Sequence, residues 1–298
     1  LNVWSPAAKT KEKRPVMVWI HGGGFMSGAG ACPIYDGEGM AKKGVVFVSI
    51  NYRLGVFGFL AHPELSKESG NGASGNYAFL DQLAALKWVQ KNIAAFGGDP
   101  NRVTIAGQSA GSFSVCALVA SPLSKGLFQR AIAQSGAMFS TERSKWLAEA
   151  EQDGLELQQA VKAATLADLR KVPAEELLKQ PPVNSAVIDG YVLPTDVPTI
   201  FAEGKQNDVA LLAGWNSGDG FLFGEPLTAA KFNAEIKDRY GKWSERFQKA
   251  YPASSDDQAR LSQIQRNRDN IFAWQAHAWA VAQAKTGKQP AWLYQFDR

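Results

Sequence analysis

A serine stands between glycines in "GQSAG" (107–111), after the β-branched run "VTIAGQ" (103–108) and ahead of the helix-forming run "SAGSFSVCALVAS". A serine at a sharp strand-to-helix turn holds its hydroxyl clear of the backbone, and flanking glycines remove side chains that would clash there. Ser109 is therefore the candidate nucleophile for attack on a carbonyl carbon. Such an attack builds negative charge on the carbonyl oxygen, which needs N–H donors. "HGGGF" (21–25), directly after the apolar run "VMVWI" (16–20), supplies them. The amides of Gly23 and Gly24, with that of Ala110 beside the nucleophile, are the candidate oxyanion hole. The plainer readings are a glycine turn with a serine N-cap, and a flexible or phosphate-binding loop. Neither G-K-[ST] nor a helix-opening G-x-G-x-x-G follows "HGGGF".

The elements that must position these residues alternate. "VMVWI" and "VVFVSINY" (45–52) are continuous apolar strands of the buried parallel type. "FLDQLAALKWVQKNIAAF" (79–96) has helical spacing and stops at "GGDP". "RAIAQSG" (130–136), "DVALLAGW" (208–215) and "AWLYQF" (291–296) read as further strands, while 141–180 and 228–285 read as helical, with room for a cap. The pattern predicts one α/β domain over residues 1–298, a mostly parallel sheet with helices on both faces and helical cap insertions.

Composition excludes more than it assigns. Hydrophobic residues make up 45% and charged residues 20% of 298, so an ordinary globular core can be buried. The net charge of +4 is dispersed, and the short "KTKEKR" run reads as a solvated loop rather than a nucleic-acid patch. Cys32 and Cys116 fit neither a disulfide framework nor a zinc site. No apolar run approaches the roughly 18–20 residues of a membrane span, and none of these residues is expected to form a signal peptide. The chain opens on "LNVWSP", which reads as the inside of a strand, so the expectation is a fragment cut at both ends.

In order along the chain, "VMVWIHGGGFMSG", "INYRLGVFGFL", "GNYAFLDQLAALKWVQKNIAAFGGDPNRVTIAGQSAGS", "FQRAIAQSGA", "VIDGYVLP" and "LLAGWNSGDGFLF" resemble the type-B carboxylesterase family, which includes the cholinesterases and bacterial para-nitrobenzyl esterases. The short stretch between Gly136 and Asp189 is more like the bacterial members. The resemblance implies an α/β-hydrolase fold with Ser109 as nucleophile and Gly23, Gly24 and Ala110 as oxyanion donors. It places the acid of the triad in "GDG" (218–220), where Asp219 stands in place of the usual Glu; either acid can orient an imidazole. Gln108 stands where many members have Glu, which removes a negative charge beside the nucleophile. Asp99 in the helix stop, Asp189 in "DGYVLP" and Glu225, further from the strand end, are the other acids weighed. Phe25, Trp215, Phe221 and Phe223 flank the motifs and read either as an apolar acyl pocket or as core.

A base is the missing part. The chain has three histidines. His21 opens the oxyanion loop and reads as its anchor. His62, in "FLAHPEL", reads as a loop residue before a proline. His277 shares a helical face with Asn270, Trp274, Val281 and Ala284, in a helix leading back to "AWLYQF", and reads as packed or surface. The resemblance puts the catalytic histidine on a loop after the strand that "AWLYQFDR" resembles, so the expectation is that it lies beyond residue 298. It further implies acyl transfer through a serine ester, a small-molecule ester substrate, no metal and no organic cofactor; bacterial relatives are often exported. A non-catalytic adhesion module and a serine peptidase of the same fold are the rival readings.

Overall fold

A computed structural model describes residues 1–140 and 144–297, without the side chains of Phe221 and Leu222. Nine strands are present among these residues: β1 (Asn2–Trp4), β2 (Arg14–Ile20), β3 (Val46–Ile50), β4 (Gly98–Gln108), β5 (Arg130–Gln134), β6 (Ser144–Trp146), β7 (Ala186–Ile188), β8 (Ala210–Asn216) and β9 (Ala291–Phe296). Seven form one sheet in the order β1-β3-β2-β4-β5-β8-β9. Every neighbouring pair in it is parallel except β1 with β3. This is the mostly parallel sheet of an α/β hydrolase.

The strand order fixes where a site can form. From β2 the chain moves to β3 on one side, then crosses over β2 to β4 on the other. The loops leaving β2 and β4 therefore part in opposite directions, and such a switch point opens a crevice at the carboxyl ends of the strands. Ile20 pairs with Gly107, and Gln108 with Gln134, so the ends of β2, β4 and β5 lie level. "HGGGF" leaves β2 and "SAG" leaves β4 at that rim.

Burial explains the composition of these elements. All five residues of β3 are buried, as are Val16, Val18 and Ile20 of β2. Parallel strands covered on both faces are near-continuously apolar. Helix α1 (Tyr77–Asn92) buries Phe79, Leu83 and Leu86. Its 3-10 extension ends at Gly97, whose left-handed φ of 76° suits a residue without a Cβ. Helix α2 (Ala110–Ala120), which follows Ser109, has all eleven residues buried. It is apolar all round because it is covered on every side.

One departure from the sequence reading falls in residues 141–180. That stretch reads as helical, yet Ser144–Trp146 forms β6, which pairs in parallel with β7 as a separate two-stranded sheet. Helix α3 (Leu147–Ala160) follows it. Residues 141–143 lie outside the described residues. The cap expected at 228–285 has a core of its own. Helices α4 (Ala229–Tyr240) and α5 (Asp256–Arg268) enclose Phe232, Ile236 and Ala259. A π-helical turn, Asp269–Ala273, joins α5 to α6 (Trp274–Thr286), a further element that spacing alone did not reveal. Among the described residues no helix is long and apolar enough to cross a membrane.

Candidate active site

Ser109 sits at the junction of β4 and α2 with φ 54° and ψ −121°. Side chains rarely adopt this region, and holding one there costs of the order of 1–3 kcal/mol. The surroundings over-determine it. Ser109 N–H donates to the Gln134 carbonyl at 2.9 Å, and its own carbonyl accepts from Phe113 N–H at 2.9 Å. The flanking glycines are required by contact: a Cβ on Gly107 would lie 2.4 Å from the Gly111 carbonyl oxygen, and one on Gly111 would lie 2.0 Å from that of Ile20. The turn is thus pressed between β2 and its own helix, leaving the Ser109 side chain half-buried at the rim.

The "HGGGF" loop meets it from β2. Gly23 and Gly24 have φ of 111° and 63°, and Phe25 continues the left-handed run at 61°. The loop is folded back on itself by Met26 and Ser27 N–H donating to the Gly23 carbonyl, both at 3.0 Å. The amides of Gly23, Gly24 and Ala110 have no hydrogen-bond acceptor among the described residues. That of Ala110 is an orphan donor of a helix N-terminus. Gln108 packs beneath: a Cβ on Gly22 would lie 2.7 Å from its carbonyl oxygen and 2.9 Å from its Oε1.

A cavity of about 520 Å³ opens over this junction, walled in part by Gly24, Phe25, Ser109, Ala110, Met138 and Phe223. Phe25 serves two purposes, since it is 8% exposed and also packs against Phe59 and Phe79. Phe223 tilts against Phe272, which shares the wall. Trp215 departs from the pocket reading: it lies outside that wall and packs against the main core. Because it lies within β8, its direction is set by the strand faces and not by the loop beyond. The side chain of Phe221 lies outside the described residues. Among the described residues no group of His, Cys, Asp and Glu could hold a metal ion.

Asp219 lies just past β8 in a 3-10 turn. Its carboxylate accepts from Ser135 Oγ at 2.6 Å, Asn216 N–H at 2.8 Å and Asn216 Nδ2 at 3.0 Å. Ser135 is the partner that sequence reasoning missed. It follows β5 as Ser109 follows β4, with φ 57°, and its N–H donates to the Gly214 carbonyl at 2.8 Å. The signal available was the "QSG" at the end of "RAIAQSG", a second serine at a strand end. The other acids are occupied structurally. Asp189 accepts from three successive backbone amides, Tyr191, Val192 and Leu193, and from Asn76. Asp99 caps a turn through Asn101 N–H, and Glu225 is exposed.

The three histidines are all placed elsewhere. His21 is buried beneath the loop, its Nδ1 2.8 Å from the Gly22 carbonyl and its ring stacked on Tyr52 at 4.4 Å. Burial pushes its pKa below the ordinary value, favouring the neutral ring. His62 lies in the loop just before Pro63, as its sequence reads, and also caps the short helix that follows. Its Nδ1 accepts from Glu64 N–H, and its Nε2 lies 2.6 Å from Gln158 Oε1. His277 is exposed on α6, on a face it shares with exposed Trp274 and Val281. None of the three lines the cavity over Ser109.

The sheet, the turn at Ser109 and the glycine loop together have the form of the α/β-hydrolase fold. The sequence matches the carboxylesterase family over residues 1–298, and the chain belongs to that family. It is 41% identical to the fumonisin B1 esterase of Sphingopyxis macrogoltabida, over 99% of this chain and 56% of that protein. It is 39% identical to the para-nitrobenzyl esterase of Bacillus subtilis (strain 168), over 100% of this chain and 62% of that one. It is 45% identical to carboxylesterase 1C of Rattus norvegicus, over 81% and 46%. The chain thus spans about half to three-fifths of the length of these relatives.

Proposed function

We propose that the protein containing this chain hydrolyses carboxylic esters through an acyl-enzyme on Ser109. The observation that carries the reading is the strained Ser109 turn facing a cavity beside amides that have no acceptor. Ser109 Oγ attacks the ester carbonyl carbon as its proton passes to a base. The carbonyl oxygen becomes an oxyanion held by the Gly23, Gly24 and Ala110 amides, and each such donor contributes roughly 3–4 kcal/mol to the transition state. The bond to the alcohol oxygen then breaks, and the base returns its proton to the departing alcohol. Water repeats the sequence on the acyl-serine, releasing the acid and restoring the Ser109 hydroxyl. Asp219, positioned by Ser135 and Asn216, orients the base.

The base in this reading is a histidine outside these 298 residues. His62 has both ring nitrogens engaged, His21 anchors the loop, and His277 faces outward. The test uses the full-length protein and 4-nitrophenyl butyrate. A burst of nitrophenol is expected, with His62→Gln and His277→Ala each within about threefold of the parent kcat/KM. Loss of a triad member costs several powers of ten. A thousandfold loss in His277→Ala would refute the external base. Absence of any burst would refute the hydrolase reading and favour a non-catalytic binding module.

A further inference from the structure

The glycine loop adopts a turn that its own sequence does not favour. Met26 N–H donates to the Gly23 carbonyl at 3.0 Å, which closes a turn with Gly24 and Phe25 as its two central residues. Both have left-handed φ, 63° and 61°. That pattern is the type I′ turn, which glycine, asparagine and aspartate dominate. A glycine followed by a phenylalanine suits type II′ instead, where only the first central residue needs a positive φ. The two turns differ by a half-rotation of the peptide plane between Gly24 and Phe25. That rotation would take Phe25 out of the left-handed region, where a bulky side chain is strained.

Packing does not oppose the rotation, since a Cβ on Gly24 would have nothing within 4 Å. The planes on either side are pinned. The Gly23 carbonyl accepts from Met26 and Ser27 N–H, and the Phe25 carbonyl from Gly55 N–H at 2.7 Å. The plane between them is held by one side chain: Asn184 Nδ2 donates to the Gly24 carbonyl at 3.0 Å. That carbonyl has no other donor among the described residues. Asn184 stands on the cavity wall with Gly24 and Ser109, two residues ahead of β7. β7 is itself anchored. Val187 N–H donates to Asn76 Oδ1 at 3.0 Å, and Asn76 Nδ2 donates to the Val187 carbonyl at 2.7 Å, at the head of α1.

We propose that Asn184 is a positioning residue of the oxyanion hole, and the proposal rests on the hydrolase reading of Ser109. Asn184 keeps the N–H of the Gly24–Phe25 peptide, and not its carbonyl, on the side of the Gly24 N–H. In a turn whose central residues share one sign of φ, successive N–H groups point to the same side, as they do in a helix. Phe25 N–H therefore points with that of Gly24, and it has no acceptor among the described residues. Rotated, the plane would set a carbonyl oxygen in that place, and its partial negative charge would oppose a developing oxyanion.

The test uses the full-length protein and 4-nitrophenyl butyrate. Asn184→Ala, and Asn184→Leu of nearly the same shape, both remove the donor. Each is expected to lose about tenfold in kcat, with KM held within about twofold. Trifluoroacetophenone, whose ketone carbon takes up a serine oxygen to give a tetrahedral oxyanion, should bind each variant more weakly by a similar factor. 4-Nitrobutyranilide, a planar amide of the substrate's shape, should compete equally well with parent and variants. Asn184→Gln retains the donor and should recover part of kcat. Should Asn184→Ala fail to fold, Asn184→Leu carries the comparison. A change in KM alone, or trifluoroacetophenone bound equally by parent and variants, would overturn the positioning role and leave the hydrolase reading standing. No turnover by the parent would overturn both.

Discussion

Ser109, Asp219 and His21 each make a prediction at the scale of one side chain. Ser109→Ala is expected to lower kcat on 4-nitrophenyl butyrate by about 10⁶-fold, leaving the residual contribution of the oxyanion donors. Asp219→Asn would misdirect the base and is expected to cost about 10³–10⁴-fold in kcat, with Asp219→Glu recovering most of it. Ser135→Ala removes one hydrogen bond to the Asp219 carboxylate. About tenfold in kcat should be lost, KM should hold, and the acid limb of the pH–rate profile should move; a change in KM alone would remove Ser135 from its positioning role. His21 resists protonation in the folded protein because burial lowers its pKa. The unfolded chain, with an ordinary imidazole, binds the proton more readily. Stability should therefore fall as pH drops through about 6.5, measured as the urea midpoint, and His21→Asn should flatten that limb. The strained turn at Ser109 and the glycine loop beside it were legible because their motifs are local: a few residues dictate their own turn. The Ser135–Asp219 contact was not, since it joins residues 84 apart in sequence across two strand ends.

Elements position these residues through close contacts that tolerate no added atoms. Gly111→Ala would drive a methyl group to 2.0 Å from the Ile20 carbonyl oxygen. The helix would have to leave β2, and the unfolding free energy should fall by about 3 kcal/mol, the upper end of ordinary substitutions. Phe79→Ala empties a fully buried site shared with Phe25 and Phe59. About 3–5 kcal/mol should be lost, and the cavity wall that Phe25 supports should loosen, read as a rise in KM. The long strands and helices were legible from their apolar periodicity. β6 was not: three residues beside a helix-forming run carry no period, and its pairing with β7, some forty residues on, supplies what the local sequence lacks. Trp215 is the converse case, an aromatic next to a motif whose strand, and not the motif, decides where it points.

At the scale of the whole molecule, two positions on one sheet are brought together by strand order. β4 returns beside β2 across the switch point, and this sets Ser109 against the glycine loop. The fold class was legible because the alternation of strands and helices determines it. The cap's own core, and the Arg239 and Arg266 that line the cavity, were not, because charged residues on helices read as solvated until their neighbours are known. The central claim is that Ser109 is the nucleophile of an ester hydrolase. The most direct test is to treat the full-length protein with a fluorophosphonate, digest it, and map the adduct by mass spectrometry alongside residual turnover of 4-nitrophenyl butyrate. The account predicts one adduct, on the peptide containing Ser109, rising in step with the loss of activity. An adduct at another residue, or full activity with Ser109 modified, would contradict it.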